Sequence, residues 1–326
     1  MTPRPFGATG LTVTPIGLGL AAVGRPAYID VGRESDLGQH RSVEELERRA
    51  HDLLDAAQAA GVRYLDVARS YGLAERFLRS WLAKRGLFPG DPTVGSKWGY
   101  RYVGAWRLDA PVHEVKDHSL AALERQYAES VAELGDWLVL YQIHSATPDS
   151  GVLEDVAVLR ALDGMRREGL VIGLTVSGPG QADAIRRALD VRVDGANPFG
   201  AVQATWNVLE RSAGPALAEA HQAGWGVILK EVLANGRLAR RDAYGGTALG
   251  EAAARQGVGT DAIAIAVALA NDWVDVVLSG AVAVPQLESN LVAPSVRLSA
   301  ADLESLATLT QPPERYWSER QALPWS

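Results

Sequence analysis

The sequence predicts a single (β/α)8 barrel of the TIM-barrel class, with an N-terminal β-hairpin and extended loops at the carboxyl-terminal face. Short apolar runs rich in β-branched residues alternate with amphipathic segments about eight times along the 326 residues. The runs are continuously apolar, as expected of parallel strands that helices cover. No linker or low-complexity tract divides the chain. We therefore expect one domain over residues 1–326, a length that such barrels often reach.

The elements follow one another in regular order after an alternating hairpin, Arg4–Phe6 and Leu11–Thr14. The predicted barrel strands are Ile16–Leu20, Val62–Asp66, Thr93–Trp98, Leu138–His144, Leu170–Ser177, Ala201–Trp206, Gly226–Glu231 and Val274–Ser279. The predicted helices are Ser42–Ala60, which opens with a capping box, Leu73–Arg85, Ser119–Leu134, Leu153–Glu168, Gly180–Leu189, Pro215–Ala223, Asp261–Asn271 and Pro285–Leu291. Long loops are expected at Ala21–His40 and Gly99–Asp117.

A doubly wound dinucleotide-binding fold is the alternative architecture. It requires a G-x-G-x-x-G motif after the first strand. Gly17-Leu-Gly19 supplies only part of this motif, and no acidic residue closes a βαβ unit at the right distance. These absences favour the barrel.

The composition is that of a soluble enzyme. It is 47% apolar and 22% charged, with a net charge of −7, which argues against nucleic acid as a partner. The chain has no cysteine, so disulfides and thiolate sites are excluded. The N-terminus lacks a signal-peptide pattern and no apolar run reaches membrane-spanning length. We expect a cytoplasmic protein without a membrane partner; the oligomeric state is not indicated.

Four residues that suit proton transfer to a carbonyl oxygen lie at or near predicted strand ends: Asp66, Tyr71, Lys97 and His144. Strand ends at the carboxyl-terminal face are where such barrels hold their active sites. Only four of the 32 basic residues are lysines, so a lysine that ends an apolar strand suggests a need for a compact ammonium.

In its order and spacing of motifs, the chain resembles the aldo-keto reductases, in particular their bacterial single-domain branch. The matching segments are Gly17-Leu-Gly19, Asp66 with Tyr71-Gly72, Ser96-Lys97-Trp98-Gly99, Gln142-Ile-His144, Gln203, Leu233-Ala-Asn-Gly236 and Gly280–Asn290. The resemblance implies reduction of an aldehyde or ketone, sugars included, with hydride from a reduced nicotinamide.

The resemblance also implies a role for each of the four residues. Tyr71 would be the general acid, and Lys97 would depress the pKa of its phenol. Asp66 would pair with Lys97, and His144 would orient the substrate oxygen as a neutral donor.

The implied cofactor is NADP(H), with NAD(H) as an option, and a small-molecule carbonyl compound is the expected partner. The implied cofactor residues are Thr175, Ser177, Gln203, Lys230, Leu233, Gly236, Gly280, Gln286 and Asn290. Gln203 would bind the nicotinamide carboxamide, and Gln286 and Asn290 would face the adenosine. Family members that prefer NADP strongly place basic side chains after the eighth barrel strand, and the segment 280–286 has none. We therefore expect only a modest preference for NADPH.

The substrate pocket is expected to include Trp98, Tyr100 and Trp106, because loops at the carboxyl-terminal face set specificity in this fold. His113 and His118 have no further ligand at suitable spacing, so no metal is expected. Two other functions stay open. One is a lyase or aldolase that forms a Schiff base on Lys97 or Lys230; the other is a non-catalytic subunit that senses nicotinamide cofactors.

Overall fold

The computed structural model describes residues 1–38, 41–240 and 244–325. Its strands are β1 (Arg4–Pro5), β2 (Thr12–Val13), β3 (Ile16–Gly19), β4 (Tyr64–Asp66), β5 (Thr93–Trp98), β6 (Tyr100–Tyr102), β7 (Glu114–Lys116), β8 (Leu138–Ile143), β9 (Val171–Thr175), β10 (Ala201–Thr205), β11 (Gly226–Lys230) and β12 (Val276–Ser279). Eight of these form a closed parallel barrel in the order β3-β4-β5-β8-β9-β10-β11-β12. The predicted fold class is confirmed.

Helices cover the barrel from outside. They are α1 (Arg33–Leu37), α2 (Val43–Ala59), α3 (Ala74–Arg85), α4 (Leu120–Leu134), α5 (Val156–Arg167), α6 (Gln181–Asp190), α7 (Gly214–Gln222), α8 (Ala248–Gln256), α9 (Thr260–Leu269), α10 (Val284–Leu291), α11 (Ala300–Ala307) and α12 (Pro313–Gln321). Ser42 caps α2 as its sequence predicts, since its side chain accepts a hydrogen bond from the Glu45 amide. Within the described ranges, no helix is long and apolar enough to cross a membrane.

The N-terminal hairpin closes one end of the barrel. β1 and β2 pair antiparallel, with Arg4 opposite Val13. Phe6 and Val13 are fully buried and pack with Tyr64, Leu140 and other barrel-lining side chains in a cluster of their own. The long loops lie at the opposite end of the barrel, where the parallel strands end.

Several elements were not predicted. The loop Gly99–Asp117 contains the β6–β7 hairpin. The predicted loop Ala21–His40 contains α1, and its last two residues lie outside the described residues. Helix α8 has the cap signals that sequence reasoning passed over, a Thr247 N-cap and a left-handed Gly257 after its last turn. Helices α11 and α12 follow the last barrel strand and were also missed, although Ser299 and Asp302 form a capping box at the start of α11.

Candidate active site

The ends of three adjacent barrel strands bring the predicted catalytic residues together. Asp66 is the last residue of β4, Lys97 is the next to last of β5, and His144 follows β8 directly. The three strands are neighbours in the barrel, so their carboxyl ends meet at one face. Tyr71 lies in the turn after β4, where its amide donates to the Ala68 carbonyl at 3.0 Å.

Asp66 and Lys97 form a buried ion pair. The side chains are 3% and 0% exposed, and the Lys97 ammonium donates to one Asp66 oxygen. It also donates to the Val67 carbonyl at 3.0 Å. The second Asp66 oxygen accepts from the Tyr64 hydroxyl at 3.2 Å and from the Gln203 amide at 2.9 Å. The carboxylate is fully hydrogen-bonded, which offsets the cost of its burial.

Tyr71 packs directly against this pair. The Lys97 nitrogen lies 4.7 Å from the centre of the Tyr71 ring, and the His144 ring meets it edge-on at 5.4 Å. Burial, with the charge of Asp66, raises the pKa of Tyr71 well above its usual value. The expectation of a depressed pKa for this phenol is therefore wrong in its net direction, because desolvation and the charge of Asp66 outweigh the charge of Arg25. At neutral pH Tyr71 holds its proton.

His144 is positioned by a contact of its ring and by a hydrogen bond of its backbone. Its Nδ1 lies 3.3 Å from the Ser70 hydroxyl, and its backbone amide donates to the Trp98 carbonyl at 2.8 Å. Burial and then the charge of Lys97 lower the pKa of His144 well below its usual value, so the imidazole is neutral at pH 7. The next residue, Ser145, has a left-handed backbone with φ 58°. Such strain in a residue other than glycine is often found at functional sites.

A cleft of about 360 Å³ at the carboxyl-terminal face is lined by Asp66 and Tyr71. Its lining includes seven of the implied cofactor residues: Gln203, Lys230, Leu233, Gly236, Gly280, Gln286 and Asn290. The apolar side chains of Leu278, Ala281 and Val282 also belong to the lining. The volume and mixed lining are those of a pocket for a small organic ligand.

The contacts of the implied cofactor residues differ from expectation in several places. Gln203 lines the cleft, yet its amide is bonded to Asp66. Thr175 and Ser177 do not line the cleft: the Thr175 hydroxyl accepts from the Ser145 amide at 2.7 Å, and the Ser177 hydroxyl accepts from Lys230 at 3.0 Å. At the far end, Gln286 donates to the Asp36 carboxylate at 2.7 Å.

Gly236 lets two loops touch above the cleft. It has φ 81°, and a Cβ there would lie 2.4 Å from an Asp30 carboxylate oxygen and 2.5 Å from the Val31 carbonyl. The Val31 amide donates to the Asn235 carbonyl at 3.0 Å. The loop after β3 is thereby joined to the loop after β11. The small size of Gly236 thus admits another segment of the chain, and its place beside the cofactor phosphates stays a prediction.

The three predicted pocket residues have different surroundings. Tyr100 packs on His144 at 5.0 Å between ring centres. Trp98 is fully buried and lies against His118. Trp106 donates to the Arg41 carbonyl at 2.9 Å and packs edge-on against Phe77. None of the three lines the cleft described above, and their contact with a substrate stays a prediction.

Sequence reasoning missed a buried arginine beside Tyr71. Arg25 is 2% exposed and pairs with Glu114 of β7 at 2.7 Å. Its guanidinium lies 5.4 Å from the Tyr28 ring centre, 5.5 Å from that of Tyr71 and 5.1 Å from that of Trp325. Arg25 thereby joins the loop after β3, the β6–β7 hairpin and the C-terminal segment around Tyr71. Nothing in the local sequence indicates these partners.

A third ion pair holds the C-terminal helix α12 against Glu231, which lines the cleft. Arg320 of α12 donates to both oxygens of Glu231, at 2.6 and 3.2 Å. Burial alone would raise the Glu231 pKa, but the charge of Arg320 holds it at about 2. Trp325 stacks on His113 with 4.4 Å between ring centres. In the part of the chain that the structure describes, no three His, Asp or Glu side chains are grouped as metal ligands.

The fold and the group of ionisable side chains at one end of the cleft are those of a (β/α)8-barrel oxidoreductase. Comparison with known proteins gives the family. The model of the aldo/keto reductase family matches residues 16–311. The chain belongs to this family.

Its relatives are distant. The aldo-keto reductase ausK of Emericella nidulans is 23% identical, over 92% of this chain and 79% of that protein. The holo form of the aldo-keto reductase AKR11C1 from Bacillus halodurans superposes with a TM-score of 0.72 at 21% identity, over 96% of this chain and 97% of that one. A putative aldo-keto reductase from Pseudomonas aeruginosa gives 0.62 at 23% identity, over 90% and 95%. At these identities the solved structures show the fold alone.

Proposed function

We propose that the protein is an NAD(P)H-dependent carbonyl reductase in which Tyr71 protonates the carbonyl oxygen of an aldehyde or ketone. The observation that carries the proposal is the contact of the Tyr71 ring with the Lys97 ammonium, at 4.7 Å, beside a cleft that Tyr71 itself lines. The bound cofactor would supply the hydride.

Each of these side chains has a different role in the transfer of the proton. Tyr71 holds a proton at neutral pH because its pKa is raised. When that proton leaves, the phenolate is stabilised by two cations, Lys97 and Arg25. Asp66 keeps the ammonium of Lys97 in place. Neutral His144 offers a ring nitrogen to the same carbonyl oxygen, and the closed loops above the cleft limit access of water.

A direct test combines binding with turnover. NADPH and NADH are titrated while protein fluorescence is recorded, and the oxidation of each cofactor is then followed with a panel of aldehydes, ketones and sugars. Turnover of any carbonyl compound supports the proposal. Tight cofactor binding with no turnover on the whole panel would favour a non-catalytic sensor of nicotinamide cofactors.

NADP(H) is the proposed cofactor, with NAD(H) accepted, and the difference in affinity is expected to be small. Segment 280–286 has no basic residue, and Gln286 is already bonded to Asp36. A charge-assisted hydrogen bond contributes roughly 1.5–3 kcal/mol, so its absence removes about tenfold or more of NADPH preference. Dissociation constants measured by fluorescence should favour NADPH by well under roughly a thousandfold. Tighter binding of NADH would reverse the assignment.

Schiff-base chemistry is the second candidate, and Lys230 is the observation that favours it. Lys97 is fully buried behind its ion pair, whereas Lys230 lines the cleft, and burial lowers its pKa to about 8. Even so, the Lys230 ammonium is bonded to two hydroxyl groups. A nucleophilic amine there would have to lose its proton and these bonds.

We therefore expect no covalent adduct on Lys230. The protein is incubated with an aldehyde and sodium borohydride, and its intact mass is compared with that of Lys230→Met treated in the same way. The masses should show equal labelling, which comes from exposed amines such as Lys84. An adduct found in the unchanged protein and missing from Lys230→Met would establish Schiff-base chemistry instead.

A further inference from the structure

The reactive end of the cleft is rich in cations, and most of them have a carboxylate partner. Three such ion pairs surround it: Lys97 with Asp66, Arg25 with Glu114, and Arg320 with Glu231. Each pair is local and neutral overall. A cation that is not paired with a carboxylate would therefore determine the charge of the ligand group that binds in this region.

Lys230 is such a cation. Its nitrogen donates to the Ser177 hydroxyl at 3.0 Å and to the Thr205 hydroxyl at 2.9 Å. Both partners are neutral, and together they accept two of the three N–H donors of an ammonium. The side chain reaches from the end of β11 past β10 to the segment after β9, and it lines the cleft.

The neighbouring Glu231 does not neutralise Lys230. Its two oxygens are bonded to Arg320, at 2.6 and 3.2 Å. The charge of Glu231 raises the Lys230 pKa through space, but burial has the larger effect and brings it to about 8. At pH 7 Lys230 is still largely protonated and carries a positive charge into the cleft.

Lys230 acts at the reactive end of the cleft. Its charge interacts with the charges of Lys97 and Asp66, and it contributes to the lowered pKa of His144. The hydroxyl of Ser145, the residue after His144, lies 3.4 Å from that of Ser177. A row of donors, consisting of the Ser145 and Ser177 hydroxyls and the Lys230 ammonium, thus extends from His144 across the barrel mouth.

We propose that Lys230 binds an anionic group of the substrate, and that the substrate class is a carbonyl compound bearing a carboxylate. This inference rests on the proposed function, since it concerns the substrate of that same site. A carboxylate is an acceptor only, and it would complete the third hydrogen bond of the ammonium while neutralising its charge. The cations Lys97, Arg25 and Arg320 each have a carboxylate partner, whereas a carboxylate of the substrate would meet Lys230 without displacing one.

The test compares two aldehydes that differ in charge, 4-carboxybenzaldehyde and its neutral methyl ester, methyl 4-formylbenzoate. In the unchanged protein, kcat/KM should favour the carboxylate by about tenfold or more, as one charge-assisted hydrogen bond allows. In Lys230→Met this ratio should fall to about one, and the ratio, not the absolute rate on either aldehyde, is the readout. Lys84→Met, the same change at an exposed lysine of α3, should keep the original ratio.

Other outcomes would overturn the proposal. If the ratio is unchanged in Lys230→Met, Lys230 does not bind the carboxylate of the substrate. An equal loss on both aldehydes, with weaker NADPH binding, would assign Lys230 to the cofactor. If neither aldehyde is reduced, the proposed function fails and calorimetry decides separately: the carboxylated product, 4-(hydroxymethyl)benzoate, should still bind at least about tenfold more weakly to Lys230→Met than to the unchanged protein. Equal binding of this product to both proteins would show that Lys230 does not bind the carboxylate.

Discussion

Tyr71→Phe should lower kcat for carbonyl reduction by roughly a hundredfold to ten-thousandfold, the usual contribution of a positioned general acid. The change removes one hydroxyl and keeps the ring, which packs against Lys97 and His144. Stability and cofactor affinity should therefore stay nearly unchanged. The loss should fall on kcat, because the proton is transferred only in the transition state.

Steady-state kinetics, a fluorescence titration with NADPH and thermal unfolding together test this expectation. Tyr141→Phe is a matched control: this buried barrel tyrosine packs against Tyr127 and lies outside the cleft. Tyr28→Phe examines the neighbouring phenol, which shares the Arg25 guanidinium with Tyr71. If Tyr71→Phe kept most of its kcat, or if Tyr28→Phe lost more, Tyr71 would not be the acid.

The barrel and the grouping of polar side chains at its carboxyl-terminal face could be predicted because both depend on local order along the chain. Continuous apolar runs define the strands, and parallel strands end at the same face, so polar residues at those ends must meet. Asp66, Lys97 and His144 follow this rule. The fold class alone therefore predicts that these three side chains lie close together.

The surroundings of Tyr71 could not be predicted, because they come from distant segments. Arg25, Glu114 and Trp325 belong to three separate parts of the chain, and their pairing depends on how two loops and a terminal segment cross the barrel mouth. None of them is marked by periodicity or capping. The net direction of the Tyr71 pKa was missed for the same reason, since burial by these segments determines it.

Residue type alone does not identify the partner of a side chain or backbone segment. A glycine in a loop indicates close approach of backbone, and at Gly236 one approaching segment is that of Val31. An aromatic residue after the strand that carries Lys97 suggests a pocket wall, and the Trp106 indole packs against Phe77 of α3. In both cases the contact within the chain could not be predicted, and the contact with a ligand stays a prediction.

Lys97→Met should abolish turnover and also destabilise the fold. The variant leaves the Asp66 carboxylate buried, with only the neutral donors Tyr64 and Gln203. Breaking one half of a buried ion pair costs about 3–5 kcal/mol. Denaturant unfolding should show a loss of this size, whereas Tyr71→Phe should show almost none. The pair would then be required for both stability and catalysis.

The double variant Asp66→Asn with Lys97→Met separates these two roles. Asparagine removes the stranded charge, so the double variant should recover much of the stability that Lys97→Met loses, and the two changes should be strongly non-additive. Turnover should stay lost, because no ammonium remains to stabilise the Tyr71 phenolate. A Lys97→Met protein as stable as the unchanged one would contradict the buried pair. A double variant that regained turnover would show that Tyr71 does not need Lys97.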